Sequence, residues 1–228
     1  MAKGAGIILL ILSTMAVLSL RVRYPAEPQP IYFAEGEENR VALTFESMWS
    51  GRNLDQILAI LNDHSVRATF FITGTWLKKH PEAARSILAG GHEIGNHTMN
   101  HRILTTLNVD ELVLEIREFN QLAMDTLEYR PRLLRPPAGI YNGVVLRKAR
   151  EQGCRTVLWS VDSYDWISKS GADIKRRVEE RVHQGAIIVF RIEATFLPAA
   201  LPEILTMLQL QGYDPYPVSE LLEDRMQF

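Results

Sequence analysis

The chain has 228 residues, 46% of them hydrophobic and 23% charged, enough for one globular domain with a substantial core plus a terminal appendage. A formal net charge of −2 excludes the basic face that nucleic-acid phosphates require, so no nucleic-acid partner is expected. The single cysteine, Cys154, excludes an internal disulfide and a multi-cysteine zinc cluster, and reads as a small buried apolar side chain.

The chain opens with Lys3, an uncharged apolar run over residues 4–20, and then Arg21 and Arg23. The run sits at the short limit of about 17 residues for a bilayer crossing. No A-x-A cleavage site follows it, so residues 1–24 read as an uncleaved signal anchor, with a cleaved signal peptide and a soluble helix as the alternatives. Residues 25–38 carry Pro25, Pro28, Pro30, Glu27, Glu35, Glu37 and Glu38 and read as an extended, solvated linker. The remaining residues, 39–228, form the folded domain.

Within that domain, short β-prone runs alternate with stretches of helical period. The strand runs are 41–45, 68–72, 133–134, 156–159 and 186–190. Between them, Asn53 with Gln56 reads as a helix start, Pro81 as a first helical turn and Gly90-Gly91 as its end. A long helix follows Asn108, with Leu112, Ile116, Phe119 and Leu122 on one face, and others cover 144–152, 174–183 and 201–211. Repeated βα units predict an α/β fold with a parallel sheet, open or closed into a barrel, whose chemistry gathers at the C-terminal ends of the strands.

Polar residues stand at those ends: Glu46-Ser47 after the first run, His97-x3-His101 after the second βα unit, and Arg135-Pro136-Pro137-Ala138-Gly139 after the third run. Two histidines four apart share a face and reach one metal ion, a weak signal by itself. The ordered set closely resembles the NodB-homology polysaccharide deacetylases. It comprises 68–74 (ATFFITG), 91–101 (GHEIGNHTMNH), 135–139 (RPPAG), 162–166 (DSYDW), 200–202 (ALP) and 212–213 (GY). The resemblance covers residues 40 to 222 and leans toward sporulation-associated members. It implies a distorted (β/α) barrel of about seven parallel strands, preceded here by the N-terminal membrane-anchor helix. It also implies a divalent metal, zinc first, and an N-acetylated envelope polysaccharide, peptidoglycan or chitin-like, as substrate. The domain is accordingly expected outside the membrane, in a bacterial cell envelope; the positive charges flanking both ends of the apolar run orient it poorly.

By that resemblance, Glu46 stands at the catalytic base, Ser47 at an aspartate metal ligand, His97 and His101 at the other ligands, and Arg191 at the catalytic histidine. Ser47 replaces a charged oxygen with a hydroxyl that binds a divalent cation poorly, so the metal is expected weakened or absent. Glu46 is long enough to join His97 and His101 in a rebuilt ligand set, but no separate base then remains. An arginine cannot act as a general acid near neutral pH. Asp162 is therefore expected to pair with Arg191, and Arg135 with Glu46. The backbone N–H of Ala138 is expected to face an oxyanion, with Tyr141 and Trp166 walling a sugar site. Trp49, Trp76 and Trp159 read as core or groove lining, and Asp165 as structural. His64, His80 and His183 read as exposed helix-end residues, and His92-Glu93 as a buried pair. Three functions remain open: a member with weak or lost deacetylation that binds an envelope glycan or a protein partner, an N-deacetylase with a remodelled metal site, and a hydrolase acting on another amide in the same cleft.

Overall fold

The computed structural model describes residues 27–36, 39–47 and 49–222. The expected anchor over residues 1–24 lies outside them; among the described residues no helix is long and apolar enough to cross a membrane. Strands β1 (Arg40–Ser47), β2 (Thr69–Ile72), β3 (Glu93–Asn96), β4 (Leu133–Leu134), β5 (Arg155–Thr156), β6 (Val161–Asp162) and β7 (Ile187–Arg191) lie in the order β5-β4-β3-β2-β1-β7-β6. All six adjacent pairs are parallel. The sheet curls into the incomplete barrel the sequence predicts, and a short β8 (Asp214–Pro215) pairs with the start of β1.

Side-chain alternation along β1 and β7 decides what enters the barrel. Val41, Leu43 and Phe45, with Ile188 and Phe190, belong to the larger core cluster between sheet and helices. Phe45 stacks between Phe70 and Phe190, with ring centroids 4.9 and 5.5 Å away, and each such buried side chain contributes about 1.5–3 kcal/mol. The opposite face, with Ala42 and Ile187, joins Phe71, Leu133 and Val157 in an inner cluster. Glu46 shares the inward parity of Ala42 and Thr44, which places a carboxylate inside.

The helices are α1 (Leu54–Asp63), α2 (Gly74–Lys79), α3 (Pro81–Ala89), α4 (Val109–Leu127), α5 (Gly143–Glu151), α6 (Gly171–Glu179), α7 (Leu197–Leu210) and α8 (Val218–Leu221). The helix after Asn108 starts with a full capping box to Glu111, and Pro81 opens α3. Asn53 differs from expectation. It adopts φ 67° with no side-chain cap, and its Nδ2 donates to the carbonyls of Ile192 and Ala194 at 2.8 and 3.1 Å. The side chain thus ties the loop after β1 to the loop after β7 instead of capping α1.

Part of the linker-like stretch is built into the domain. Ile31 bridges in parallel to Val157 and Phe33 antiparallel to Ala186, so the segment runs from the end of β5 to the foot of β7. Ala34 N–H donates to Gly185 O at 2.8 Å. At Gly185, φ is 71° and a Cβ would lie 1.7 Å from Ala34 O, so only glycine fits this approach.

Candidate functional site

The floor of the cleft is a set of carboxylates and guanidiniums brought together by strand register. Glu46 on β1 is directly opposite Arg191 on β7, and Asp162 on β6 is opposite Val189 on the same strand. Arg191 Nη1 and Nη2 donate to Asp162 Oδ1 and Oδ2 at 2.8 and 3.3 Å, a two-pronged arrangement that suits a planar guanidinium. Its Nη1 lies 3.4 Å from Asp165 Oδ1, its backbone N–H donates to Asp165 Oδ2 at 2.6 Å, and its Nε lies 3.7 Å from Glu46 Oε2. Burial lowers the affinity of Arg191 for its proton, but its hydrogen bond to Asp162 and the nearby carboxylates outweigh it, so its pKa rises. Burial pushes the Asp165 carboxyl up to about 6.

Arg135 is fully buried beneath this floor. Its Nη1 donates to Thr44 Oγ1 and its Nη2 to Leu158 O, both at 2.9 Å, and it lies 3.7 Å from Glu46 Oε1. Its guanidinium sits 4.1 Å over the Phe71 ring, and burial lowers its pKa to about 10. Both ion pairs expected from the sequence, Arg191 with Asp162 and Arg135 with Glu46, are present.

The histidines stand on the loop after β3. Backbone N–H groups of Gly74 and Thr75, at the start of α2, donate to Thr98 O and Met99 O at 3.0 Å each. Glu115 of α4 accepts from the Asn100 backbone and side-chain amides at 2.8 and 2.9 Å. This clamp holds Thr98 and His101 at φ 70° and 58°, backbone angles uncommon for non-glycine residues and typical of functional turns. The His97 and His101 rings meet edge-on with centroids 4.9 Å apart. His97 Nδ1 lies 2.8 Å from Arg135 O; a carbonyl only accepts, so Nδ1 carries the hydrogen and Nε2 presents a lone pair. That Nε2 is buried with no hydrogen-bond partner. Burial holds His97 near pKa 3 and His101 near 4, so both imidazoles are neutral at physiological pH.

The His97 orientation suits a metal, but the donor set around it is incomplete. Among the described residues no three His, Cys, Asp or Glu side chains are grouped to hold an ion. The expected trio of Glu46, His97 and His101 does not form, because Arg135 and Arg191 draw the Glu46 carboxylate between them. Ser47 contributes a neutral hydroxyl whose contact is Ser50 O at 3.5 Å. Two imidazoles and a hydroxyl do not fit the three-ligand centre of a hydrolytic zinc site.

Of the residues expected to line a sugar site, Ala138 sits in a tight 3-10 turn at φ 55°, Trp166 is 64% exposed, and the Tyr141 hydroxyl shares a 3.0 Å hydrogen bond with Tyr32. Trp49 is 66% exposed with its ring 5.9 Å from His101, whereas Trp76 is core. His92 and Glu93 are not a pair. His92 Nδ1 accepts from Ala68 N–H at 3.2 Å, while Glu93 accepts from Thr69 at 2.7 Å and from Ser219. Sequence reasoning missed Glu115, Thr44 and Glu193, the last accepting from the backbone N–H groups of Trp49 and Ser50 at 3.3 Å. An inward-parity threonine was the one available signal; Glu115 looks like any helix-surface acid.

A family model described as polysaccharide deacetylase matches residues 34–157. The uncharacterized protein YlxY of Bacillus subtilis is 30% identical over 87% of this chain and 62% of its own length. A peptidoglycan-N-acetylglucosamine deacetylase of Bacillus cereus is 34% identical over 81% of this chain and 89% of its own. This chain therefore spans somewhat under two thirds of the first relative and most of the second. Among solved structures, wild-type BA3943 of Bacillus anthracis, described as a CE4 family pseudoenzyme, superposes with TM-score 0.83 at 32% identity over 86% of this chain and 69% of its own. The fold, the histidine loop and these matches agree: the chain belongs to the polysaccharide deacetylase family.

Proposed function

We propose that this protein binds an N-acetylated glycan of the bacterial envelope, peptidoglycan or a chitin-like polymer, in the cleft above Glu46, without the metal-dependent N-deacetylation of its active relatives. The observation that carries this reading is Arg191, at the position of the family's acid, with both nitrogens of its fork on Asp162. A permanent guanidinium cannot deliver a proton to a leaving amine, and the loss of a positioned acid costs about 10²- to 10⁴-fold. The missing third metal donor removes a second contribution. The exposure of Trp166 and the tight turn at Ala138 support a role for these residues, with Tyr141, as groove walls. The BA3943 pseudoenzyme, a mutant of which is described as having restored enzymatic activity, supports the same reading. So do relatives described as peptidoglycan deacetylases. Attachment to the membrane through residues 1–24, with the domain on the outer side, completes the proposal.

The competing reading is an active N-deacetylase with a remodelled centre. The prepared Nε2 lone pair of His97 favours it, and the placement of Glu46 between two arginines opposes it. Acetate release from chitooligosaccharides and peptidoglycan, with zinc present, separates the two. The native chain is expected to release none above background, and the combined Glu46→Asp, Ser47→Asp, Arg191→His variant to release acetate. Turnover by the native chain at a rate matching the variant would overturn the proposal.

A further inference from the structure

We propose that the histidine end of the cleft receives the free ammonium of a 2-amino-2-deoxyhexose unit, the sugar left where an N-acetyl group has been removed. This inference rests on the glycan-binding function above and names which unit of the chain this end of the site selects.

The argument is a sorting of donors and acceptors. His97 has committed its N–H to Arg135 O, so what remains is an Nε2 lone pair, buried and without a partner. An unmet buried acceptor is a standing cost that a ligand with N–H groups relieves. The partly buried His101 ring lies beside it, with centroids 4.9 Å apart. Glu46 lies 3.7 Å from each guanidinium, longer than an N–H···O hydrogen bond, and so retains acceptor capacity. The Arg191 fork is taken by Asp162 and Asp165, and the Arg135 donors by Thr44, Val157 and Leu158. The guanidiniums therefore offer a ligand little.

The charge balance points the same way. Glu46, Asp162 and Asp165 bring three carboxylates against the two guanidiniums of Arg135 and Arg191. An acetamide brings a carbonyl acceptor and a methyl group to such a site, whereas an ammonium brings three donors, a positive charge and no acceptor. A divalent cation shares the charge but needs the third ligand that Ser47 no longer supplies. An ammonium needs lone pairs, not a closed coordination sphere. Trp49, two-thirds exposed with its ring 5.9 Å from that of His101, offers an aromatic surface to the same cation or to the sugar ring that carries it.

The test is calorimetric titration of the full chain, washed with chelator, with the glucosamine tetramer, its fully N-acetylated counterpart and trilysine. The amine tetramer is expected to bind about tenfold or more tightly than the acetylated one, the gain expected of a charge-assisted hydrogen bond. Glu46→Gln and His97→Phe are expected to erase that preference. Should either fail to fold, the exposed Trp49→Ala is expected to weaken the amine tetramer. Equal affinity for both tetramers overturns the inference and leaves glycan binding standing; failure of both tetramers to bind overturns both. Trilysine binding as tightly as the amine tetramer overturns the sugar as the source of the ammonium. Stoichiometric zinc surviving the chelator wash overturns the ammonium site.

Discussion

Two halves of one cleft have diverged. The loop carrying His97 and His101 keeps a clamped backbone, a fixed His97 tautomer and an open lone pair. Across from it, the floor has become a closed ion-pair network in which Arg191 meets Glu46, Asp162 and Asp165. The difference teaches that two walls of one cleft can be held in place by unlike forces. The loop is held by backbone contacts to α2 and α4, which do not depend on what a cleft does, whereas the floor is held by the charges themselves. A cation placed among three carboxylates stabilises the fold and, as a guanidinium, cannot give up its proton near neutral pH.

The comparison breaks most forcefully at Arg191. Arg191→Ala leaves three carboxylates facing one another at the end of β7, and breaking a buried pair on one side costs about 3–5 kcal/mol. Urea unfolding of native and variant chains measures it; a loss below about 1 kcal/mol would show that the floor is not held by its charges. The histidine loop has its own weak point at Gly74, where a Cβ would lie 2.1 Å from Met99 Sδ and 3.1 Å from Met99 O. Gly74→Ala is expected to cost about 1–3 kcal/mol by overpacking, read as a lower melting temperature together with shifted imidazole resonances of His97 and His101. Unchanged resonances would separate the loop's geometry from its packing on α2.

The smallest effect lies outside both halves and calibrates them. His92, facing Arg67, is held near pKa 4 by burial and by that guanidinium. A depressed pKa means the unfolded chain binds the proton first, so the contribution of His92 is complete above about pH 6.5 and is lost as pH falls through 4. His92→Gln is expected to flatten the decline in melting temperature over that window. An unaltered slope would assign the acid sensitivity to other groups.

How much was legible varied by the kind of contact involved. The apolar runs that became β1, β2 and β7 and the capped helix after Asn108 were readable because periodicity and capping are local. Strands β3, β6 and β8 and helices α2 and α8 were not, being short segments that pairing and packing create from weakly patterned residues. Asn53 misled for a related reason: its amide found two carbonyls of the β7 loop, some 140 residues away in sequence, and these outweighed the local cap.

At the site, the sequence alone determined which chemical groups are present: two histidines after β3, a glutamate and a serine at the end of β1, and an arginine at the end of β7. Residue identity settles protonation range and ligand count without coordinates. Only the tertiary structure decided where Glu46 turns. The parallel register sets Arg191 beside it on β7 and the buried Arg135 beneath it, and over so short a distance two guanidiniums outcompete a pair of neutral imidazoles for one carboxylate.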